Sequence, residues 1–465
     1  MAKFLSKNNA VHRSLILAGG GVRLAYHAGV LRVLEEEGLS FDHVDGTSGG
    51  IFGTAMLASG ITPVEAGLRW RKLKLGGFMN LVPFKDAHFR LSKFFNGAEG
   101  IKKAIFPGLG IDIEKVNANT DFDATFNVCN FSKKKVESFT HTQATINHLV
   151  AGLSLPMFIP ATKIGDDWYT DAVWIKDANL TETVKRGTQE IWLIWCIGNT
   201  PVYRHGRFNE YVHMIEISAN AGIMRELDWM EQVNNAREKE GLPAIKLHIV
   251  KPEFPLPLDP AFFLKKIDAD TLINMGYADT KAYCRQYKEM PVVINPATAT
   301  VMKNCDATLH FRQQFYGSIL LDGGKQQVCL HLAYFIRKMD SEYVLQQFAS
   351  IELVGSDEVI PGYEHRVVKT RKGELSGRFC VQHNNNIIQV NSSILFSDSL
   401  ALFVGLDCKK AIITVTENDG MPNTTTFYQP ALNRINNAAH LYIDGNFSFV
   451  EKWKWKRALL DYIFQ

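Results

Sequence analysis

Nowhere in the 465 residues does an apolar run reach the roughly 18 that a membrane-spanning helix requires. The N-terminal stretch MAKFLSKNNAVHRSLILAGGG has scattered charge and only a short apolar run, well under the apolar core of about 7–15 residues in a secretory signal. A soluble cytoplasmic protein is therefore expected, with any membrane contact peripheral. The seven cysteines, Cys129, Cys196, Cys284, Cys305, Cys329, Cys380 and Cys408, never come within C-x-x-C or another short metal-ligand spacing. Their odd number and wide spacing speak against a disulfide framework and for a reducing compartment. Charge of one sign is missing too: the net charge is +3, so nothing global points to nucleic acid as a partner. Internal repeats and low-complexity tracts are also absent. What is present, 46% hydrophobic and 21% charged residues, suits a globular chain with ample material for a core, and the length suggests two or three domains.

The first half alternates strand-like and helix-like segments. SLILA (Ser14 to Ala18) is a short buried-strand run ended by three glycines, and Leu24, Ala28, Leu31 and Leu34 then recur at helical spacing until Gly38. FDHVD is a second strand, IFGTAMLASG a second helix and QEIWLIWCIG a third strand, an order that predicts an α/β sheet covered on its faces. After Asn220 two helices flank the strand AIKLHIV, and KEMPVVINPATAT reads as a linker. Beyond about Thr298 short segments rich in β-branched and aromatic residues follow one another, from ATLHFRQQFYGSILLDGG through LALFVGL to AAHLYIDGNFSFVEKW, with turn pairs such as Asp419-Gly420 and Asp444-Gly445. The expected division is 1–290, a linker at 291–298, and a mainly antiparallel β-sandwich or barrel over 299–465.

Chemistry concentrates at two glycine-rich places. In DHVDGTSGGIFGTAM, Ser48 sits between a strand and a helix, with Gly46 and Gly50 two residues to either side. That is the setting of a G-x-S-x-G nucleophile elbow, where side chains at the flanking glycines would clash and the helix N-terminus favours developing negative charge. A glycine-rich turn with an incidental serine is the plainer reading. In LAGGGVRLAYHAGVL three glycines leave a strand and open a helix. Leu24 stands where a dinucleotide fingerprint started at Gly19 needs its last glycine, and no Gly-Lys-Ser/Thr is present, so neither nucleotide motif is completed, and a tight turn is the plainer alternative. The Gly20 and Gly21 amides, with Arg23 near, suit an oxyanion hole instead.

A serine hydroxyl needs a base. Fourteen histidines are available and spacing selects none; His27 and His43 lie nearest the two motifs but read more readily as structural. Asp171, in IGDDWYTDAVWIKDANL, is the other candidate, half-buried by Trp168, Tyr169, Val173 and Trp174. Its ordinary pKa, about 3.9, makes it a weak base unless burial raises it.

Together GGGVRLAYHAGVL, GTSGG and DAV, in that order, resemble the patatin-like phospholipase family over roughly Ser14 to Tyr287. The resemblance implies a three-layer α/β/α hydrolase. In it Ser48 attacks an ester carbonyl, Asp171 is the base without a histidine, and Gly20 and Gly21, aided by Arg23, hold the oxyanion. No metal or other cofactor is required. Two positions depart from the family pattern: Leu24 stands where the first loop usually has glycine, and Ala172-Val173 follow the aspartate where glycine usually follows.

The expected substrate is a phospholipid or other lipid ester, cleaved as by a phospholipase A or lysophospholipase. Gly76 to Gly97, with five phenylalanines among basic residues, reads as a lid or interfacial helix, or as an ordinary helix on the core. EKWKWKRALLDYIFQ alternates Trp453 and Trp455 with lysines and reads either as a bilayer-interface tail or as a tail docked on its own domain. The β-rich part shows no catalytic pattern and is expected to bind lipid, a protein partner or effector, or to hold the hydrolase in check. Two other readings stand beside this one: a patatin-like binding protein without activity, favoured by Leu24 and Ala172, and an esterase using Ser48, a histidine and a different acid.

Overall fold

The computed structural model describes residues 3–7, 9–73, 97–156, 159–199, 201–203, 205–256, 268–288, 299–321, 323–340, 342–384, 386–396, 410–418, 420–430, 441–444 and 449–464. The candidate lid at 76–96, the linker at 291–298, the strand read in LALFVGL, and Asp419 and Gly445 of the turn pairs lie outside them. The chain divides into two compact units, Met1–Asp259 with Tyr283–Lys303, and Pro260–Ala282 with Asn304–Gln465. The segment 260–282 thus groups with the β-rich part, although the sequence suggests a boundary further on.

The first unit is an α/β fold around one mixed sheet of eight strands: β1 (Arg13–Leu17), β2 (His43–Thr47), β3 (Asp123–Asn130), β4 (Lys135–Thr140), β5 (Thr162–Ile164), β6 (Asp167–Asp171), β7 (Glu190–Ile194) and β8 (Lys246–Val250). Strands β3, β2, β1, β7 and β8 run parallel, and β4, β5 and β6 pair antiparallel. Parallel strands carry helices on both faces, which explains why SLILA and EIWLI are continuous apolar runs without alternation. Successive side chains point to opposite faces. Ile16 joins Ile191, Leu193 and Ile249 in a cluster with Ala219, Ile223, Leu227 and Met230 of the long helix α5 (Arg207–Lys239). Its neighbour Leu17 faces the other way, onto helix α2 (Gly50–Ala58), so close that a Cβ on Gly53 would lie 2.7 Å from Leu17 Cδ1. Helix, sheet and helix therefore form three layers. Helix α1 (Ala25–Glu36) follows the glycine loop, α3 (Pro63–Lys72) starts at a Thr62 N-cap, and α4 (Ile146–Gly152) starts in a capping box between Thr145 and His148.

The register on β3 decides where the site forms. β4 holds one edge of β3 from Thr125 to Asn130. The other edge is shared: β2 pairs as far as Thr47 with Asn127, and β6 takes over with Asp171 opposite Val128. β2 runs parallel to β3 and β6 antiparallel, so their C-terminal ends meet head to head at adjacent positions of β3.

In the second unit nine strands are antiparallel: β9 (Ala307–Leu321), β10 (Gly324–Met339), β11 (Glu342–Leu353), β12 (Val359–Arg371), β13 (Glu374–His383), β14 (Asn386–Leu395), β15 (Lys410–Glu417), β16 (Asn423–Tyr428) and β17 (Tyr442–Asp444). β9 to β16 follow one another around a meander, and Tyr428 of β16 pairs with Tyr316 of β9, closing the ring. Of the two expected arrangements this is the barrel. Its interior is lined by alternate residues such as Phe311, Leu330, Leu332, Phe379, Val390 and Ile413. Within this unit, residues 269–282 of helix α6 (Ala269–Tyr287) lie against the strands, with Ser350 bonded to Asp270.

One expectation is corrected at the C-terminus. AAHLYIDGNFSFVEKW is not one strand: among its described residues Tyr442–Asp444 is strand, and Phe449 opens helix α7 (Phe449–Phe464). Leu459, Leu460 and Ile463, at helical spacing, are buried in the barrel cluster, and Trp455 packs against it. That burial at helical spacing outweighs the β-propensity of the aromatic residues. The tail thus docks on its own unit, leaving Trp453 half exposed under Arg457. No described helix is long and apolar enough to cross a membrane.

Candidate active site

Ser48 follows β2 directly and has φ of +51°, left-handed backbone that a serine adopts only under constraint. The constraint is visible in the glycines. A Cβ on Gly50 would lie 1.8 Å from the Leu17 carbonyl oxygen, and one on Gly46 would lie 2.5 Å from Thr54 Oγ1. Both must stay glycine for α2 to sit on β1 while the turn is this tight. Helix α2 begins two residues after the serine.

The glycine loop lies beside the elbow. A Cβ on Gly19 would meet Ser48 Cβ at 2.8 Å. Gly20 and Gly21 (φ +62°) open a short 3-10 turn, and no hydrogen bond within the described residues uses either amide as donor. The Arg23 guanidinium is buried and Nη1 donates to the Cys196 carbonyl at 3.2 Å, tying the loop to the end of β7. Leu24 has φ of −69°, and Ala172 opens a 3-10 turn without a positive φ. Neither departure from the family pattern therefore falls where the backbone requires glycine. Leu24 instead fills the space beside Gly49, where a Cβ would come within 2.4 Å of it.

Asp171 ends β6 and is fully buried. Oδ1 accepts from the Val173 amide at 2.9 Å. Burial pushes its pKa up to about 7, against the opposing effects of the Ser48 hydroxyl and that amide. The hydroxyl faces the carboxylate closely enough to act on it, while Oδ2 has no partner in good hydrogen-bond geometry. Long or misaligned bonds of this kind are common in catalytic pairs without substrate. Ser48 and Asp171 are thus neighbours, joined by the head-to-head meeting of β2 and β6.

The two histidines considered from the sequence are occupied otherwise. His43 lies between Ser14 Oγ (3.1 Å) and Thr125 Oγ1 (2.8 Å), and burial lowers its pKa to about 3. His27 is buried in α1, and burial lowers its pKa likewise to about 3. No hydrogen bond within the described residues joins a histidine to Ser48 or Asp171.

Two groups escaped sequence reasoning. Asp177, fully buried, accepts the Gly19 amide on Oδ2 at 2.9 Å; Oδ1 has no partner and lies where a Gly19 Cβ would be 2.4 Å away. Burial, then the nearby Asp171 charge, raises its pKa well above the ordinary value, which favours the protonated form. The only available signal was an acid shortly after Asp171, followed by Ala178 and Leu180. The second group is a polar network under the elbow. Asp45 accepts from Thr125 (2.6 Å) and Asn127 (2.7 Å). Asn127 also donates to Thr47 and accepts from Ser138 and Asn179. It locks the end of β2 to β3, and a lone Asp-Gly in a strand gave no hint of it.

Comparison with known families gives one match, over residues 15–184, to the patatin-like phospholipase family model. This segment is a patatin-like domain. The match takes in the glycine loop, the elbow, Asp171 and Asp177. Comparison with the curated proteins gives no match. Among solved structures, similarity is found to full-length SpcU in complex with full-length ExoU from the type III secretion system of Pseudomonas aeruginosa, at 16% identity over 32% of this chain and 39% of that one, with a TM-score of 0.21. A second structure, the type III effector protein ExoU, gives 12% identity over 62% and 78%, also at 0.21. The chain thus spans about two fifths of the length of the first. Scores this low transfer neither fold nor function to the patatin-like domain.

Proposed function

We propose that the patatin-like domain is a lipid acyl hydrolase that cleaves carboxylic esters through Ser48 and Asp171. The observation that carries this reading is the meeting of a strained, positive-φ serine with a fully buried carboxylate whose pKa lies near neutrality. A base is most effective when its pKa lies near the working pH. Ser48 Oγ attacks the ester carbonyl carbon as its proton passes to Asp171. The negative charge on the carbonyl oxygen is met by the Gly20 and Gly21 amides, which have no competing acceptor among the described residues. Arg23 acts at one remove, holding the loop through Cys196 rather than touching the oxyanion. The tetrahedral intermediate collapses, the alcohol takes the proton from Asp171, and an acyl group remains on Ser48. Water, deprotonated by Asp171, then attacks the acyl carbon, and as the acid leaves Asp171 returns the proton to Ser48 Oγ. Asp177, whose burial disfavours its charge, keeps the Gly19 amide in place. The substrate class, a phospholipid or lysophospholipid, rests on the family match alone.

Intact-mass analysis after a fluorophosphonate probe tests this. One adduct on the wild-type chain and none on Ser48→Ala is the expected result, followed by fatty-acid release from phospholipid vesicles. No adduct on either chain would mean that the elbow and loop form no working nucleophile, and the chain would then be a binding protein.

A further inference from the structure

The outer face of the barrel carries a second cluster of reactive side chains. Cys329 and His331 are two residues apart on β10, so they share a face, while Val328, Leu330 and Leu332 point to the apolar interior. Glu352 is the cross-strand partner of Cys329 on β11, and Gln314 that of His331 on β9. The thiol, one imidazole nitrogen and one carboxylate oxygen all lie within 4.8 Å of one another.

We propose that Cys329, His331 and Glu352 bind a divalent zinc-class metal ion. Ligands around tetrahedral zinc sit at about 2.0–2.3 Å from the metal, hence about 3.3–3.7 Å from each other. The cluster is close to that size. His331 Nε2 and Glu352 Oε2, at 2.7 Å, need only part slightly to admit the ion. A mixed sulfur, nitrogen and oxygen donor set selects zinc or cobalt over magnesium and calcium, which prefer oxygen alone.

The surroundings are those of a ligand histidine. Its other nitrogen, Nδ1, is 3.0 Å from the Gln314 amide. Turning that amide over puts its oxygen against Nδ1–H, the contact that fixes a metal-binding imidazole with Nε2 outward. Cys329 is only 1% exposed, too enclosed to attack a bulky substrate but available to an ion. The Glu352 side chain is 42% exposed and provides the way in. Three protein ligands leave a fourth position for water. The ion would clip β10 to β11 on the face opposite the core.

The test uses the full-length chain stripped with a chelator and titrated with Co²⁺. One Co²⁺ per chain, with a thiolate-to-cobalt charge-transfer band that Zn²⁺ abolishes, is expected. Cys329→Ser should lose the band, and Glu352→Gln, a change at a partly exposed position, should lower affinity at least about tenfold while far-UV circular dichroism stays unchanged. Gln314→Leu should keep the band and weaken binding about 10–100-fold. A titration without the band, a band that survives Cys329→Ser, or an affinity indifferent to Glu352→Gln would overturn the proposal, even if the cysteine variant fails to fold.

Discussion

The elbow of the patatin-like domain and the outer face of the barrel place reactive side chains in opposite ways. The first uses strand ends. β2 and β6 stop against β3, and the residues at their tips, Ser48 and Asp171, meet in buried surroundings where charge is costly. The second uses the middle of strands, where Cys329, His331, Glu352 and Gln314 are neighbours across a regular ladder. A strand end leaves the following turn free to be strained, so glycines mark it in the chain. A ladder needs no special backbone, so its neighbours leave no local mark.

That contrast can be tested. Removing a tip residue should have the largest effect. Ser48→Ala and Asp171→Asn should each lower ester hydrolysis by at least about 10³-fold, measured as kcat, because nucleophile and base act as a unit. If Asp171→Asn keeps activity, another base serves Ser48 and the head-to-head geometry is incidental. Next comes the turn itself. Gly50→Ala drives a methyl group into the Leu17 carbonyl and should destabilise the fold by about 3 kcal/mol or more, read in chemical denaturation. In the barrel, Leu460→Ala should cost about 2–5 kcal/mol by leaving a cavity where α7 enters the core, seen as a lower calorimetric midpoint.

Smaller effects refine the picture. In its proposed role as base, Asp171 must be ionised. Its folded pKa, about 7, lies above the ordinary 3.8, so kcat/KM should rise with pH, about tenfold per unit on the acid side, and level off above about 7. The same shift has a stability cost. The folded state holds the proton more tightly than the unfolded one, so stability falls as pH rises from about 4 to 7, and Asp171→Asn should flatten that dependence in pH-dependent melting curves. The smallest effect is expected at Asp177. Asp177→Asn keeps a neutral acceptor for the Gly19 amide and should leave kcat within about threefold, whereas Asp177→Ala, which strands that amide, should cost about 1–3 kcal/mol of stability.

Much of this was legible in the chain, and the reason differs from place to place. SLILA and EIWLI are read as buried strands because a sheet covered on both faces demands unbroken apolar runs. The elbow is legible because Gly46 and Gly50 stand where no other residue fits. Strands β4 and β6 leave no such signal, since KVESFT and DWYTD mix polar and apolar residues and are only partly buried. FVEKW, Phe449 to Trp453, reads as strand because aromatic and β-branched residues suit both states, and the burial of Leu459, Leu460 and Ile463 makes it a helix. Leu24 and Ala172 looked like obstacles because a motif records which residue usually stands at a position, not the φ it needs there.

The sequence by itself determined the local backbone: where strands stop, where a serine is forced into left-handed geometry, and which amides are left bare. These follow from sterics between residues a few positions apart. Which carboxylate meets that serine, why charge on Asp177 is disfavoured, and which cysteine gains a histidine and a glutamate were decided only by the tertiary structure. Each depends on the register between strands distant in the chain, and on burial, which sets the cost of charge.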